Sequence, residues 1–480
     1  MNPVSLLPHL TAIFSVDHLP CATAPNQPDK LKPGKMGAEM LNRIAILLAI
    51  AVVWPLCVSL ATAADFNAQA ATEAYLATVG GAARAKSDAY FEGGYWLILW
   101  DGLYAMAVAL ILLFTRASAG MRDLAESITS RIWLQTFIFA ALIIIVTTAM
   151  TFPYTLQVGF YREHEYGLSN LTMTAWLTEF AIGMAINVIM SSIFLVGLYA
   201  VIRRTGEAWW LCGAGFVTLF IMFSATVAPV FIAPLFNDYK PMREGELKQQ
   251  ILSIARANGV PADDVVEFNA SKQHKRISAN VSGFMGTTRI SLNDNLLNRA
   301  TPSEVKAVMA HEIGHYALGH IYEMIISLSV LAALAFLLTD WGFYMLHSAF
   351  GSWWGVRDIS DPAGLPVIVL LLSLFGMLAT PLTNSIVRTN EAEADIFGLN
   401  AAREPDGFAT TALKLSEYRK LDPTPWEEFV FYDHPSGRSR ISMAMRWKAE
   451  HLKELPFPVD SDPLVAEPPP TPASWGNPGE

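Results

Sequence analysis

Charged residues are scarce in this chain of 480 residues. Asp, Glu, Lys and Arg make up 16% of it, whereas an average soluble domain has about 25%. Hydrophobic residues make up 52%, and the mean hydropathy is +0.34. The chain is therefore either embedded in a membrane or a globular protein with unusually few charged residues. Its net charge of −10 offers no basic surface to phosphates, which argues against a nucleic-acid partner.

Cysteine is also rare. The three cysteines, Cys21, Cys57 and Cys212, have no metal-binding or redox spacing, so the sequence implies no disulfide framework. Histidine occurs only 10 times, yet three histidines and a glutamate fall within MAHEIGHYALGH, residues 309–320. This crowding between long apolar stretches indicates a site.

The apolar residues are gathered in blocks of about the length that crosses a bilayer, roughly 20 residues. Several blocks begin with Trp or Tyr, which favour the water–lipid boundary. The blocks are residues 44–61, 95–115, 133–152, 176–201, 209–236, 321–346 and 365–385. The pattern predicts a mostly α, polytopic membrane protein with about seven transmembrane helices. Segment 95–236 then holds helices two to five, and segment 321–385 holds helices six and seven.

The N-terminal region has two interpretations. Residues 1–40 are predicted to be an unstructured N-terminus or a misassigned start, with Met36 or Met40 as the true first residue. Residues 41–64 have a basic flank, an apolar run and the small-residue ending ATAA. They form either a cleaved signal peptide or a retained first transmembrane helix.

Two segments have ordinary water-soluble composition. In segment 237–320, GELKQQILSIARANGV predicts an amphipathic helix, and VVEFNA, RISANVSG and TTRISLN predict short strands. Segment 386–455 is the second soluble part. Residues 456–480 are acidic and rich in proline, a composition that predicts disorder.

The motif HEIGH predicts a metal centre on a helix. Thr301 and Glu304 predict a capping box at the start of that helix. His311 and His315 are four residues apart, so both imidazoles can face one metal ion, and Glu312 can exchange a proton with a metal-bound water. Nitrogen ligands with an open fourth position suit zinc, and we expect one Zn²⁺ per chain.

The third metal ligand must come from elsewhere. His320 follows His315 by five residues, which does not match the metzincin spacing, so we interpret it as a helix-end or interface residue. In RTNEAEADIFGLNAA, Glu391 and Asp395 are one helical turn apart. Glu391 can complete a site of two histidines and one glutamate, and Asp395 can accept the free ring N–H of a ligand histidine.

With these motifs the sequence resembles the type I CAAX prenyl endopeptidases and their bacterial membrane relatives, in the gluzincin group of zinc metalloproteases. The resemblance covers roughly residues 90–450 and also includes FIAPLFNDYKPMREGELK and FYDHPSGRSRI. It implies a gluzincin-like α+β metalloprotease domain. It also implies the zinc ligands His311, His315 and Glu391, the general base and acid Glu312, and Asp395 behind the ligands.

Further site residues are implied by the same resemblance. His434 of the HP motif and Arg440, six residues later, are expected to face the substrate. His434 can hydrogen-bond the oxyanion, and Arg440 can hold a backbone carbonyl or contact the carboxylates of the zinc site. An edge strand that pairs with an extended substrate maps to Ser278, Ala279 and Asn280 of SANVSG, where Ser278 replaces the family's Asn. Backbone pairing survives that change, because it does not use the side chain.

The predicted function is that of an integral membrane zinc metalloendopeptidase. Its partners are expected to be membrane lipid and a peptide or protein substrate, either lipidated or membrane-bound. Prenyl specificity and membrane-protein quality control are equally compatible with the sequence. The alternative is a transporter or channel with a structural metal, for which Asp101 and Glu179 are the intramembrane candidates.

The expected location is the bacterial inner (cytoplasmic) membrane. The side on which the active site lies is left open. Arginines gather between the second and third spans and at Arg203 and Arg204, which favours a catalytic domain outside the cytoplasm. The family resemblance favours the opposite side.

Overall fold

A computed structural model describes residues 66–282 and 288–454. Residues 1–40, 41–64 and 456–480 lie outside the described residues. The predicted unstructured N-terminus, the signal peptide or first span, and the disordered tail therefore stay predictions. Long α-helices account for most of the described chain, which confirms the mostly α, polytopic fold class.

Up to Leu235, the described chain consists of helices joined by short connections. A short helix precedes a set of long apolar helices, and their bounds are α1 Ala68–Ala77, α2 Gly81–Phe114, α3 Ala117–Ile128, α4 Ile132–Leu156, α5 Met173–Thr205 and α6 Trp209–Val227. A π-helical turn at Gln157–Arg162 extends α4 as far as Glu165.

Five continuous helical stretches in the described residues are long and apolar enough to cross a membrane. One of them, Met173–Leu235, contains both α5 and α6, because the chain reverses at Gly206, whose φ is 54°. Phe194 of α5 then packs against Phe216 of α6, with ring centroids 5.6 Å apart. The described residues therefore contain six helices of spanning length, and the predicted total of seven is not confirmed.

The segment after α6 forms a four-stranded sheet. Its strands are β1 Tyr239–Pro241, β2 Val265–Phe268, β3 Ala279–Ser282 and β4 Arg289–Asn293, in the order β1-β2-β4-β3. β2 and β4 are parallel, and the other two pairs are antiparallel. β3 is thus an edge strand, with one side free within the described residues. The three predicted strands are present, whereas β1 was not predicted.

Among the described residues, eight α-helices lie between the strands or after them in the chain. They are α7 Glu246–Ala257, α8 Asp294–Arg299, α9 Pro302–Ala317, α10 His320–Trp354, α11 Leu365–Ala402, α12 Pro405–Leu415, α13 Pro425–Phe431 and α14 Gly437–His451. The sheet, α7 and α9 share a hydrophobic core that includes Ile251, Leu292 and Met309. A second core joins α1, α12 and α14.

Helix α9 begins as the sequence predicts. Thr301 accepts a hydrogen bond from the backbone N–H of Glu304, and the Glu304 side chain accepts one from the N–H of Thr301 at 2.6 Å. The helix ends at Ala317, and Gly319 adopts φ of 75°, a left-handed conformation that glycine adopts without steric cost. The membrane helix α10 starts at the next residue.

Helix α11 joins a membrane span to the second soluble segment without a break. The predicted span ends at residue 385, but the helix, which is 38 residues long in total, continues to Ala402. It crosses α9 so closely that a Cβ added to Gly398 would lie 3.0 Å from the backbone nitrogen of His311. Glycine at this position is what permits the two helices to approach.

Replacing Gly398 with valine is therefore expected to destabilise the protein. Overpacking at a tight contact typically costs about 1–3 kcal/mol, and here the neighbouring atoms belong to backbone that cannot rotate away. Thermal unfolding of the purified protein in detergent measures the effect. Gly376 lies on the same helix, and a Cβ added there would have nothing within 4 Å, so Gly376→Ala is the control and should unfold at or above the wild-type temperature. Equal unfolding temperatures for Gly398→Val and wild type would contradict the tight crossing.

Candidate metal centre

The two histidines of HEIGH face the same point from α9. Their Nε2 atoms lie 3.1 Å apart, as expected for side chains separated by one helical turn. Glu391 of α11 approaches both, with one carboxylate oxygen 3.3 Å from Nε2 of His311 and the other 3.4 Å from Nε2 of His315. The structure thus brings together the three residues that the sequence predicts as metal ligands.

The triangle formed by these three groups has the dimensions of a zinc site. A tetrahedral zinc ion with bonds of about 2.0–2.1 Å separates its ligand atoms by roughly 3.3 Å, and the observed separations are 3.1, 3.3 and 3.4 Å. Two imidazoles and one carboxylate are also the donor set that zinc accepts in hydrolases. The residues therefore fit a divalent ion such as zinc.

Asp395 and Arg440 lie behind the ligands. Asp395, which is fully buried, lies 2.8 Å from Nδ1 of His311. Arg440 donates from Nε to Asp395 at 2.8 Å and from a terminal nitrogen to Glu391 at 3.1 Å. One guanidinium therefore holds the two carboxylates that contact the histidines, and it partly compensates their charge in a buried place.

The charges around His311 also control its protonation. Burial alone would lower the pKa of His311, but hydrogen bonding to Asp395 and Glu391 raises it to about 10. The imidazolium form is therefore favoured when no cation is bound, and a metal ion must displace that proton.

Glu312 has the properties of a proton acceptor and donor. Burial raises the pKa of its carboxyl group, while His311 and His315 act in the opposite direction. Within the described part of the chain, no residue donates a hydrogen bond to the Glu312 carboxylate. A partly buried carboxylate without such a hydrogen bond can accept a proton from water beside the metal site.

His434 reaches the same point from the loop before α14. Its Nε2 lies 3.3 Å from Glu391, and its Nδ1 lies 2.8 Å from the carboxylate of Asp433. Burial lowers the pKa of His434, Asp433 raises it, and the positive charge of Arg419 lowers it further. Arg388 of α11 anchors this loop, because it donates to the backbone carbonyls of Glu428 and Tyr432.

A cavity of about 290 Å³ opens beside the three predicted ligands. Its lining includes Glu312, His434 and Arg440, and also Ser278 and Ala279 at the edge strand β3. Asn280, the third residue predicted there, is not among the lining residues. The predicted edge strand therefore does border the candidate site, through its first two positions.

Several residues of the site were not predicted. Tyr418 and Arg419 line the cavity, and Asp433 and Arg388 hold His434. Asp433 directly precedes the HP motif, so its position was a signal that the sequence carried. Arg388 and Arg419 have no such signal, because their contacts depend on how α11 and the segment after α12 meet.

Two family models match consecutive parts of the chain. The model of peptidase family M48 matches residues 241–448, and the model of the CAAX prenyl protease N-terminal region, with five membrane helices, matches residues 68–238. The chain belongs to peptidase family M48. It is accordingly a membrane metalloprotease, and membership in this family implies a bound metal.

Individual relatives agree with this assignment. The chain is 28% identical to the uncharacterized metalloprotease YhfN of Bacillus subtilis, covering 73% of this chain and 82% of that protein. It is also 28% identical to CAAX prenyl protease 1 of Saccharomyces cerevisiae, covering 66% and 74% respectively. The crystal structure of S. mikatae Ste24p shares the fold, with a TM-score of 0.65 and 23% identity over 76% of this chain and 89% of that chain.

Replacing Glu391 with alanine should abolish stable zinc binding. The variant keeps both histidines but loses the carboxylate that joins them, and two imidazoles alone hold zinc weakly. Metal analysis of the purified protein should give about one zinc per wild-type chain and far less for Glu391→Ala. Glu450→Ala, at an exposed position of α14, serves as the control and should retain zinc. A full zinc complement in Glu391→Ala would rule out this ligand set.

Proposed function

We propose that this M48 metalloprotease is a zinc endopeptidase whose single Zn²⁺ is held by His311, His315 and Glu391. The observation that supports it best is the triangle of ligand atoms, with sides of 3.1, 3.3 and 3.4 Å, beside the partly buried carboxylate of Glu312. A zinc ion bound there supplies a Lewis acid that lowers the pKa of water and polarises a carbonyl group.

The protein's own residues carry the proton transfers and hold the substrate. Glu312 accepts a proton from the attacking water and then delivers it to the nitrogen of the leaving amine. His434 donates from Nδ1 to Asp433, and it gains a second donor at Nε2, for the carbonyl oxygen that becomes negative, only when it takes up a proton against its lowered pKa. Arg440 and Asp395 keep Glu391 and His311 oriented.

The substrate is proposed to enter as an extended strand along β3. The outer edge of a terminal strand presents unpaired N–H and C=O groups, and an added peptide strand satisfies them. Ala279 lies at this edge and lines the cavity together with Ser278, whose own backbone groups pair with Asn293. A peptide paired with β3 would therefore pass beside Glu312 and His434, whatever its side chains.

Membrane-bound peptides and proteins, including lipidated ones, are the proposed substrate class. Helix α9 is followed immediately by the membrane helix α10, and α11 is itself continuous with a span. A cavity lined by residues of α9 and α11 would be accessible to chains that are anchored in the bilayer. A role in membrane-protein quality control follows from the same access.

The transporter alternative has no support. Its candidate residues take part in local contacts, since Asp101 accepts a hydrogen bond from Tyr154 at 2.5 Å and Glu179 accepts one from Gln273 at 2.9 Å. Both carboxylates therefore connect neighbouring segments of the helical framework.

The experiment that tests the proposed function is Glu312→Gln. Glutamine has nearly the same shape but cannot take up a proton, so peptide hydrolysis should fall by about 10²–10⁴-fold. Zinc content should remain that of the wild type, because Glu312 is not a ligand. Cleavage of a fluorogenic peptide and metal analysis of the same preparations give the two readings. Undiminished hydrolysis by a zinc-loaded Glu312→Gln protein would refute the assignment of the base.

We further propose that the protein lies in a bacterial cytoplasmic membrane with its cavity on the outer side. The end of the helical bundle opposite the cavity has short connections that are rich in arginine: Arg116, Arg122, Arg131, Arg203, Arg204 and Arg357. The connection between α4 and α5 on the cavity side, residues 157–172, contains only Arg162. Short loops rich in Lys and Arg remain in the cytoplasm.

Fusion of a reporter to the C-terminus of the full chain tests this orientation. Helix α14 carries Arg440 to the metal site, so a reporter after it reports the cavity side. Alkaline phosphatase folds only after export, and we expect an active phosphatase fusion and a dark green-fluorescent-protein fusion. A fluorescent fusion with inactive phosphatase would place the cavity in the cytoplasm and contradict the arginine argument.

A further inference from the structure

His320 occupies a place that the catalytic scheme above does not use. It is the first residue of α10 and only 3% exposed. Its Nδ1 lies 2.9 Å from Nδ1 of His315, and its Nε2 lies 3.4 Å from a carboxylate oxygen of Glu393. A buried imidazole thus stands between a proposed zinc ligand and a carboxylate of α11.

The role of His315 as a ligand determines which ring nitrogens of the two histidines carry hydrogen. His315 faces His311 and Glu391 through Nε2, so the lone pair of Nε2 must be free for a metal ion and the ring hydrogen must sit on Nδ1. The His315 Nδ1–H then donates to Nδ1 of His320. A neutral His320 consequently carries its own hydrogen on Nε2, which points to Glu393.

We propose that His320 and Glu393 are positioning residues that orient His315 for zinc binding through a hydrogen-bonded chain from carboxylate to imidazole to imidazole. The proposal rests on the proposed metal centre. Such partners set the tautomer of a ligand histidine and increase its basicity toward the metal. Asp395 performs the matching task for His311 on the other side of the site, so each histidine has its own carboxylate.

A second cation site is the competing interpretation of the same cluster. One donor atom each from His320, Glu323 and Glu393 lie within 4.8 Å of one another. Nε2 of His320, however, must carry a hydrogen when His315 binds metal through its own Nε2, and a protonated nitrogen cannot be a ligand. Glu323 is also exposed, and the Glu393 side chain is 54% exposed. We therefore expect this cluster of the described residues to hold no second zinc ion.

The turn between α9 and α10 explains how His320 reaches His315. On an unbroken helix a residue five positions later points well away from the first. Here α9 ends at Ala317, and Gly319 with φ of 75° turns the chain before α10 begins. The turn returns the His320 side chain to His315. Because Glu393 belongs to α11, the hydrogen-bonded chain connects three helices at the metal site.

Two substitutions at His320 test the proposal through zinc affinity. His320→Ala removes the acceptor and should weaken zinc binding by about 10–100-fold. His320→Asn has a carboxamide oxygen that can replace the ring Nδ1 as acceptor, so it should recover most of that loss. The dissociation constant is measured on the full-length protein by competition with a chromophoric zinc chelator. Unchanged affinity in His320→Ala, or equal losses in both variants, would overturn the proposal.

A matched pair at exposed positions covers the case in which changes at the buried His320 prevent folding. Glu393→Ala should weaken zinc binding by several-fold, whereas Glu323→Ala should leave the dissociation constant at the wild-type value. Both residues belong to the same cluster, but only Glu393 is in the proposed chain. Equal zinc dissociation constants for Glu393→Ala and Glu323→Ala would argue against the proposed hydrogen-bonded chain.

Cobalt loading and metal counting separate the remaining outcomes. The visible d–d bands of the Co²⁺-loaded protein should shift in His320→Ala and stay near the wild-type position in His320→Asn. A second zinc equivalent that is lost in Glu323→Ala would assign the cluster to a cation site and overturn the proposal. If the wild-type chain bound no zinc at all, the proposed function itself would fail. That result differs from a wild-type chain that binds zinc and whose affinity is unchanged in His320→Ala.

Discussion

The close crossing of helices α9 and α11 is the contact on which the candidate site depends. Gly398 allows the backbones to meet near His311. Glu391 and Asp395 precede it by seven and three residues, so all three lie on the face of α11 that is directed at α9. A bulkier residue at the crossing would move both carboxylates away from the histidines, even though it lies outside the ligand set.

Charge balance explains why the site needs Arg440. Glu391 and Asp395 are both buried, and two carboxylates in a place of low dielectric are costly unless they are paired. The guanidinium contacts both with separate nitrogens, which a lysine, with its single nitrogen, cannot do in the same geometry. A bound divalent cation would complete the compensation, and metal binding would then be linked to the electrostatics of folding at this point.

Much of the fold and of the site was predictable from local patterns. The membrane helices were visible as apolar blocks, and the capping box of Thr301 with HEIGH identified α9. Glu391 was predictable because HEIGH requires a third ligand and NEAEAD supplies a carboxylate one turn from another. The continuity of α11 was missed because hydropathy changes near residue 385, although neither Gly nor Pro interrupts the sequence from Leu382 to Phe397.

The missed features depend on contacts between distant segments. β1 has only three residues, too few to show an alternating pattern. Arg388 contacts the His434 loop through an arrangement that only the assembled fold creates. His320 was interpreted as a helix-end or interface residue because it follows His315 by five residues, and it does begin helix α10. Its contact with His315 was hidden because Gly319 interrupts the helical geometry from which the spacing was judged.

The length of α11 gives this protease a mechanical property. At about 1.5 Å per residue, its 38 residues extend roughly 57 Å, almost twice the hydrocarbon thickness of about 30 Å. Its C-terminal part carries Glu391 and Asp395, and no loop separates them from the apolar part of the same helix. A change in the tilt of that apolar part, such as a different bilayer thickness would favour, would therefore be transmitted along one rigid element toward the carboxylates that face α9.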